Sequence, residues 1–418
     1  MEILTHVGGT PGKDCGGFCR FCYFKTVNFK DLDSVALGCK FCPPHQVGCS
    51  YCHELIREVK NGFKSPKEVL TQLIMNLEQL KNTQQEVHDL KINVGSWADV
   101  INYPHLHDLL AVFQKYEFPV NLGYTSGKGI NGAETADGLV ARGVTEVSFS
   151  VFSINPDLRR EWMRDKTPEK SLEALQRFCE LCEVNASTVV VPGVITEEEI
   201  TKTCSILEEW GIKSFVLSRF SNHQNQGLLF NYKPVEDGIE PQPYQEFYEL
   251  VGSIARQFSF RVLGSPAADP EKGLPYILAR KGNKKYLEQL PAIKSETTII
   301  TSSLSAPFLE KIFQRIDGNG KVNILAVDKD IGDLIVPADL EAIDLKEVKF
   351  KAILPGGALL HDQVAHQLLT RDGKNRKVVR GPELLFLPSN VYLEGKEEEF
   401  ITYEIRSFTE LVNLINQN

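Results

Sequence analysis

Three cysteines near the amino terminus have the spacing of an iron–sulfur ligand set. Residues 15–22 read Cys-Gly-Gly-Phe-Cys-Arg-Phe-Cys, which places Cys15, Cys19 and Cys22 four and three residues apart. A four-iron cubane normally takes four cysteine thiolates, whereas the residue after Cys22 is Tyr23. A cubane held by these three thiols would keep one iron without a cysteine ligand, and such an open iron can bind a small molecule. The alternatives are a structural zinc loop and three unrelated thiols.

A second cysteine cluster follows and consists of two CxxC pairs. The pairs are Cys39 with Cys42 and Cys49 with Cys52. Each pair presents two thiolates on one tight turn, and two such pairs form a tetrahedral four-sulfur site. This geometry suits zinc or iron, and four thiolates so close together are also compatible with a second cubane. Because four thiolates close the coordination sphere, we do not expect this site to bind a small molecule.

The composition is that of a globular protein that works in a reducing environment. The chain has 418 residues, with 42% hydrophobic and 24% charged residues, ten cysteines and a net charge of −9. Its length predicts two or three domains. The acidic balance and the absence of a basic run argue against a nucleic-acid partner, and no apolar stretch is long enough to cross a membrane. Without an export signal, the cysteines are expected to be metal ligands or free thiols in the cytoplasm.

The elements that must position the cysteines alternate between strands and helices. Strands are predicted over 90–94, 119–124, 144–152, 187–191 and 215–218, and helices over 65–80, 104–116, 135–142, 171–183 and 197–210. Regular alternation of this kind predicts parallel βαβ units. Six repeats would make a partial (β/α)6 barrel, an α/β fold that is curved but not closed. In such folds the loops after the carboxyl ends of the strands carry the site.

Four segments with different roles are predicted along the chain. Residues 1–30 would be the cluster-binding start of the barrel domain and 31–60 a Cys-rich metal-binding loop. Residues 61–240 would complete the partial barrel, with 233–243 as an acidic, proline-containing linker. Residues 241–418 would form a C-terminal α+β domain, since the alternation of strands and helices weakens there.

The cysteine pattern resembles that of the radical S-adenosylmethionine (SAM) superfamily. The matching feature is CxxxCxxC followed by an aromatic residue, here Cys15 to Tyr23. In that superfamily the open iron of a [4Fe-4S] cluster chelates the amine and carboxylate of SAM. One electron from the cluster, which needs an electron donor that the sequence does not identify, cleaves SAM to a 5′-deoxyadenosyl radical. This radical removes a hydrogen atom from the substrate.

The chain as a whole resembles the methanogenesis-marker radical SAM methyltransferases of methanogenic archaea. The resemblance rests on the cysteine run ending Cys22-Tyr23-Phe24, the Cys-rich loop over 39–52, and the C-terminal segments Ile-Leu-Pro-Gly-Gly-Ala-Leu-Leu and Gly-Pro-Glu-Leu-Leu-Phe-Leu-Pro. It implies methylation of the sp³ delta carbon of an arginine in the alpha subunit of methyl-coenzyme M reductase, or in a peptide of it. It also implies an anaerobic archaeal cytoplasm, and it favours mononuclear iron over zinc in the second cysteine site.

The resemblance further implies cobalamin, as the donor of a methyl group to a carbon radical. The Asp-x-His-x-x-Gly loop by which many cobalamin proteins ligate cobalt is absent from the sequence, and His361-Asp362 has the wrong order. Cobalamin is therefore expected to bind without a histidine lower ligand, with the C-terminal domain as its seat.

Small polar residues after the predicted strands are the candidates for binding SAM. Radical SAM proteins place a small-residue segment after the second strand, where this chain has Gly-Ser-Trp-Ala-Asp. Hydroxyl groups at the ends of the next strands suit the ribose and carboxylate of SAM. The alternative is ordinary capping of strand ends. The candidates are Gly95, Ser96, Thr125, Ser126, Ser148 and Ser150.

Two further assignments concern the cluster and the substrate. The phenolate of Tyr23 is a candidate ligand of the open iron when SAM is not chelated there, and packing against adenine is the alternative. The guanidinium of a substrate arginine needs a carboxylate partner, for which Asp99 and Asp157 are candidates because both follow strands. Two other functions remain open: a cobalamin-independent radical SAM peptide maturase that uses the Cys-rich loop as an auxiliary redox site, and a non-enzymatic zinc-knuckle protein.

Overall fold

The structure is a computed structural model that divides into two units. It describes residues 2–27, 40–41, 57–82, 90–227, 233–266, 268–271, 275–382 and 397–417. The first unit contains the described parts of Met1–Lys30, Glu54–Phe220 and Val235–Leu263. The described residues of Ser221–Pro234 and Gly264–Asn418 belong to the second unit, together with 40–41. The first unit therefore continues beyond residue 240, where the sequence predicts the start of the C-terminal domain.

A seven-stranded sheet with the order β1-β2-β3-β4-β5-β6-β7 forms the centre of the first unit. The pairs from β1 to β6 are all parallel. The register pairs His6 with Gly95 and Ser150 with Ser187, so the carboxyl ends of the strands lie along one edge. The strands are Glu2–His6 (β1), Lys91–Gly95 (β2), Val120–Thr125 (β3), Val144–Ser150 (β4), Glu183–Val190 (β5), Ser214–Arg219 (β6) and Arg261–Ser265 (β7).

Helices connect these strands and cover the sheet. The α-helices of the first unit are Pro66–Asn82, Leu106–Lys115, Ala133–Val140, Pro168–Leu181, Glu197–Trp210 and Tyr244–Ala255, with a helical turn over Pro156–Leu158. The 3-10 helices are Tyr23–Thr26 and Val100–Asn102, and a π-helix spans Arg159–Met163. The predicted order of strands and helices from 65 to 218 is confirmed.

The helix Glu197–Trp210 shows how local sequence specifies these elements. The Thr196 hydroxyl accepts a hydrogen bond from the backbone N–H of Glu199, which caps the amino end. Gly211, with φ of 80°, ends the helix in the left-handed conformation that glycine adopts most readily. Ile200, Thr203, Cys204 and Leu207 recur at three- and four-residue intervals and are buried.

The second unit contains a four-stranded parallel sheet. Its strands are Thr297–Ser302 (β8), Val322–Val327 (β9), Lys351–Leu354 (β10) and Lys377–Arg380 (β11), in the order β11-β10-β8-β9. All three strand pairs are parallel. Parallel neighbours need crossover connections, so this unit is an α/β layer, whereas the sequence predicts an α+β domain.

Helices pack on both faces of the second sheet and enclose two apolar clusters. The α-helices are Lys284–Leu287, Ala306–Ile316, Pro337–Glu341, Asp362–Leu369 and Glu397–Asn416, and the 3-10 helices are Ile277–Ala279, Lys281–Asn283, Gly332–Leu334 and Leu345–Glu347. Ile299 and Ile353 belong to one cluster, and Ile300 and Leu354 belong to the other. Successive residues of each strand therefore point to opposite faces.

No helix in the part of the chain that the structure describes is both long and apolar enough to cross a membrane.

Candidate functional site

The loop after β1 brings Cys15, Cys19 and Cys22 to the wall of one cavity of about 390 Å³. Phe21, between the second and third cysteines, is buried, and its ring stacks on that of Phe152 with the centroids 4.9 Å apart. This contact fixes the direction of the chain between the two cysteines. The structure therefore places the three predicted cysteines on the wall of one shared cavity.

Two glycines let the start of this loop pack against its neighbours. Gly8 and Gly9 have φ of 78° and 102°. A Cβ on Gly8 would lie 2.6 Å from the carbonyl oxygen of Gly62, and one on Gly9 would lie 2.9 Å from the Oγ of Ser96. Any larger residue at either position would displace the loop that leads to the cysteines.

The surroundings of the three thiols keep them protonated while no metal is bound. Burial raises the pKa of the Cys15 and Cys19 thiols and raises that of Cys22 to about 12. The backbone N–H of Gly12 donates a hydrogen bond to the Cys15 Sγ at 3.0 Å. A metal cluster would supply the positive charge that ionised thiols need in such a setting.

The donor set fits a cluster better than a single ion. Among the described residues, no group of three or more His, Cys, Asp or Glu side chains is placed to hold one metal ion. The three thiols instead lie along the wall of a shared cavity. A four-iron cubane fills such a space and takes one thiolate at each of three corners. These residues therefore fit a cubane with one iron open to the cavity.

A charged cluster holds the outer side of the cysteine loop. Arg20 donates hydrogen bonds to Glu236 at 3.0 and 2.6 Å and lies over the ring of Trp162, 4.1 Å from its centroid. Lys25 donates to the other oxygen of Glu236 at 2.7 Å. Glu236 lies in the predicted linker over 233–243. Part of that segment therefore contacts the cysteine loop within the first unit, through the hydrogen bonds of Glu236 with Arg20 and Lys25.

The segment after β2 contributes Ser96 and Trp97 to the cavity wall. The Ser96 hydroxyl donates to the carbonyl oxygen of Gly8 at 2.7 Å and accepts from the backbone N–H of Ala98 at 3.0 Å. Gly95 lies at the end of β2 beside His6. Of the two residues predicted in this segment, Gly95 and Ser96, only Ser96 is a lining residue of the cavity. Its hydrogen bond to Gly8 also connects the end of β2 to the loop after β1.

The segment after β3 contributes Tyr124, Ser126 and Lys128. The Thr125 hydroxyl accepts from the backbone N–H of Gly127 at 3.0 Å, which is a capping role. Ser126 lines the cavity but donates its hydroxyl hydrogen to Asp99 at 2.7 Å. The buried setting of the Tyr124 hydroxyl raises its pKa well above the ordinary value, so it stays neutral and can donate a hydrogen bond.

Strands β4 to β6 supply more hydroxyl groups. Ser150 lines the cavity, whereas Ser148 is not among the lining residues. Ser187 and Ser218 also line the cavity, on β5 and β6. Each of these two is part-buried, and neither side chain has a hydrogen-bond partner within the described residues. Both hydroxyls are therefore available to a bound molecule.

The two carboxylates predicted to meet a substrate arginine do not line the cavity. The Asp99 side chain is buried and accepts hydrogen bonds from Ser126 and from the backbone N–H of Ile101. Asp157 is exposed and pairs with Arg160 at 2.8 Å. The carboxylate of Asp99 already accepts hydrogen bonds from neighbouring donors, and the carboxylate of Asp157 faces water. Neither therefore matches its predicted role in this structure.

A buried arginine joins the ends of β3 and β4. Arg159 is fully buried and donates to the same oxygen of Asp165 from Nε at 3.1 Å and from Nη2 at 2.8 Å. It also donates to the carbonyl oxygens of Ser126 at 2.6 Å and Val151 at 2.5 Å. Arg159 thus fixes the backbone next to two of the lining serines.

Tyr23 lies on the wall of the cavity that the cysteines share. Phe24 lines the same space. The second cysteine site, with Cys39, Cys42, Cys49 and Cys52, lies outside the described residues. Cys204 is buried, and Cys179 and Cys182 are half-buried free thiols.

The lining residues that sequence reasoning missed include Trp97, Tyr124, Lys128, Ser187 and Ser218. A period-of-two pattern along β5 and β6 would have identified the two serines, because alternate residues of a strand face the same side. Tyr124 and Lys128 flank the predicted Thr125 and Ser126, so the sequence predicts the correct segment. No sequence signal distinguishes Lys128 from an exposed lysine.

One model of a protein family matches part of this chain. The model of the Radical SAM superfamily matches residues 10–207, which include the three cysteines and β2 to β5. A search of curated protein sequences gave no match.

The solved structures that match this chain are distant in sequence. SuiB of Streptococcus suis, bound to its precursor peptide SuiA, is 14% identical with a TM-score of 0.40, over 66% of this chain and 50% of SuiB. Coproporphyrinogen III oxidase (HemN) of Escherichia coli is 14% identical with a TM-score of 0.38, over 77% and 62%. The radical SAM methyltransferase TsrM of Kitasatospora setae, with cobalamin and a [4Fe-4S] cluster bound, is 15% identical with a TM-score of 0.31, over 52% and 36%. The chain thus spans about half the length of SuiB. On the sequence match, residues 10–207 of this chain form a radical SAM superfamily domain.

Proposed function

We propose that this protein is a radical SAM methyltransferase that methylates the delta carbon of an arginine in the alpha subunit of methyl-coenzyme M reductase. The observation that carries the proposal is the placement of three thiols and several hydroxyl groups around one cavity in a radical SAM domain. The choice of arginine and of methyl-coenzyme M reductase rests on the resemblance of the cysteine run and the C-terminal segments to the methanogenesis-marker family. An unactivated carbon is a suitable target because no enzymatic base can deprotonate it.

In this proposal Cys15, Cys19 and Cys22 hold the [4Fe-4S] cluster. When bound, the cluster with SAM supplies a radical able to remove hydrogen from carbon, and cobalamin supplies the methyl group. The protein binds and orients these groups, and the buried ring of Phe21 forms part of the cavity wall. The cluster needs one electron from an external donor.

We assign the hydroxyl groups that line the cavity to two ligands, SAM and the substrate. Ser96, Ser126 and Ser150 lie on the segments after β2 and β3 and at the end of β4, and we assign them to SAM together with Tyr124. Ser187 and Ser218, on β5 and β6, are assigned to the substrate because their hydroxyls have no partner in the described structure. Uncommitted donors at these positions suit the polar groups of a peptide.

The C-terminal unit is the proposed seat of cobalamin. Its parallel sheet presents the loops after β8 and β10 at one edge, which is where ligands bind in open α/β sheets. His361 is not available there as a lower ligand through Nδ1, because that atom accepts a hydrogen bond from the backbone N–H of Gln363 at 3.1 Å. Mononuclear iron at Cys39, Cys42, Cys49 and Cys52 completes the proposed set of metals.

Tyr23 is proposed as a ligand of the open iron in the absence of SAM. The support for this assignment is that Tyr23 adjoins Cys22 and lines the same cavity as the three cysteines. Tyr23→Phe should change the EPR spectrum of the reduced cluster without SAM and leave the spectrum with SAM unchanged. An unchanged spectrum without SAM would remove this assignment.

The methyl transfer is tested by mass spectrometry of an anaerobic reaction. Reconstituted protein is mixed with SAM, a reductant and an arginine-containing peptide of methyl-coenzyme M reductase, with and without cobalamin. A cobalamin-dependent gain of one methyl group on arginine supports the proposal, and a peptide with lysine in place of the arginine serves as the control. Release of 5′-deoxyadenosine with a different peptide modification, independent of cobalamin, would favour a peptide maturase instead.

A further inference from the structure

Lys128 is a buried cation that contacts the cysteine loop from inside the first unit. Only 3% of the surface of Lys128 is exposed to solvent. Its Nζ donates to the carbonyl oxygens of Gly17 at 2.7 Å and Met163 at 3.0 Å, and lies 3.6 Å from the Sγ of Cys19. The three contacts join the segment after β3 to the cysteine loop and to the end of the π-helix Arg159–Met163.

The amino group has no carboxylate partner in the described part of the chain. Of the other buried lysines among the described residues, Lys329 lies 3.7 Å from Asp339, whereas Lys351 donates to three carbonyls at a helix end. Lys128 has two carbonyls and a thiol sulfur. A buried charge is costly unless a counter-charge is close. The nearest group that becomes negative in the working protein is the Cys19 thiolate in a cluster.

We propose that Lys128 is the fixed counter-charge of the iron–sulfur cluster and a positioning residue for its cysteine loop. The inference rests on the assignment of the cluster to Cys15, Cys19 and Cys22, but not on the identity of the substrate. A positive charge beside a thiolate ligand stabilises the more negative, reduced state of the cluster, so it makes the cluster easier to reduce. The electron itself comes from an external reductant, and no bond to Lys128 forms or breaks.

Three variants distinguish the effect of the Lys128 charge from the effect of its side-chain packing. Lys128→Met removes the ammonium group and keeps an unbranched side chain, whereas Lys128→Arg keeps the charge. Lys213→Met is the matched control, because Lys213 is an exposed lysine paired with Glu183 at 2.7 Å, just before the amino end of β6. Lys213 therefore lies at the amino ends of the strands, whereas the proposed cluster site lies at their carboxyl ends.

The first readout is a redox titration of the reconstituted cluster, followed by EPR without SAM or substrate. At a fixed potential near the wild-type midpoint, the ratio of reduced to oxidised cluster should fall about tenfold or more in Lys128→Met, since unit charges a few ångströms apart in a protein interact strongly. Lys128→Arg and Lys213→Met should stay within about threefold of wild type. A wild-type ratio in Lys128→Met would overturn the proposal.

The second readout needs no cluster. In metal-free protein, loss of the bonds to Gly17 and Met163 should loosen the loop and speed hydrogen exchange at its hydrogen-bonded backbone N–H groups, such as those of Arg20 and Cys22. We expect faster exchange for Lys128→Met than for wild type and Lys213→Met. A titration shift that Lys128→Arg fails to restore, together with unchanged exchange in Lys128→Met, would refute the counter-charge role. Neither result depends on whether arginine is methylated.

Discussion

The carboxylate of Asp99 accepts hydrogen bonds from both the backbone N–H and the hydroxyl of Ser126, at 2.8 and 2.7 Å. A third hydrogen bond comes from the backbone N–H of Ile101 at 3.2 Å. Asp99 follows β2 and Ser126 follows β3, so this pair joins the ends of two adjacent strands below the cavity. Although both residues were selected from the sequence as ligand contacts, they contact each other, and Asp99 acts on the site through Ser126.

Replacing Asp99 by Asn should destabilise the first unit. The amide keeps one acceptor oxygen but turns a donor toward groups that are themselves donors, and a buried unsatisfied group costs about 1–3 kcal/mol. Urea unfolding should show a loss of that size. The affinity for SAM should also fall, because Ser126 lines the cavity. Asp157→Asn, at an exposed position, is the control and should change neither quantity; an Asp99→Asn protein as stable as wild type would contradict the assignment.

Arg159 and Arg160 are neighbours with opposite surroundings, which makes them a matched pair for stability. Arg159 is fully buried with Asp165, and breaking a buried ion pair costs about 3–5 kcal/mol. Arg160 is exposed and pairs with Asp157 and Glu169, so its loss should cost less than about 1 kcal/mol. The free energy of unfolding of Arg159→Met and Arg160→Met measures the difference. Similar values for the two variants would show that Arg159 does not hold the strand ends.

Ser187 and Ser218 should affect the binding of substrate and not stability. Their hydroxyls have no partner in the described structure, so Ser187→Ala and Ser218→Ala should change the free energy of unfolding by less than about 0.5 kcal/mol. Loss of one hydrogen bond to a bound peptide should raise KM about three- to tenfold. Ser205→Ala, on the helix Glu197–Trp210, is the control for KM. Unchanged KM in both cavity variants would place the substrate elsewhere.

The second unit should lose stability as pH rises from acid to neutral. Glu404 accepts hydrogen bonds at 2.9 Å from the backbone N–H groups of Ile277 and Leu278, but burial raises its pKa from 4.5 to about 7. The folded protein thus binds this proton more tightly than the unfolded chain does. The resulting stabilisation is complete below about pH 4.5 and is lost as pH rises through 7, on the order of 3 kcal/mol in total.

The variant Glu404→Gln isolates this effect. Its free energy of unfolding, measured in urea at pH 5.5, 6.5 and 7.5, should fall less steeply with pH than that of wild type. Glu399→Gln, an exposed position on the same helix, should keep the wild-type slope. Equal slopes in Glu404→Gln and wild type would show that this carboxyl does not set the pH dependence.

Local patterns predicted the first unit well. The cysteine spacing, the strand and helix order from 65 to 218, and the serines at strand ends follow from short-range periodicity and turn chemistry, so the sequence alone identifies the cavity edge. Lys128, Arg159 and Asp99 could not be assigned in this way. Their partners are fixed by the fold across long stretches of chain, as when Lys128 reaches Gly17 over 111 residues.

The C-terminal sheet was harder to predict because its strands carry charged residues. β10 begins with Lys351 and β11 with Lys377, which is typical of exposed segments. In the structure the Nζ of Lys351 donates to the carbonyl oxygens of Leu414 and Ile415, at the end of the helix Glu397–Asn416. A lysine that caps a distant helix from within a strand gives no periodic signal, and the parallel order of the four strands therefore went unpredicted.

The central claim is that Cys15, Cys19 and Cys22 hold a cluster that binds and cleaves SAM. The most direct measurement is the release of 5′-deoxyadenosine from SAM by anaerobically reconstituted protein and dithionite, compared with the variant in which all three cysteines are alanine. We expect release that depends on reductant in wild type, an EPR spectrum that changes when SAM is added, and neither effect in the variant. The account would be contradicted if wild-type protein with a verified cubane released no 5′-deoxyadenosine and its EPR spectrum did not change when SAM was added.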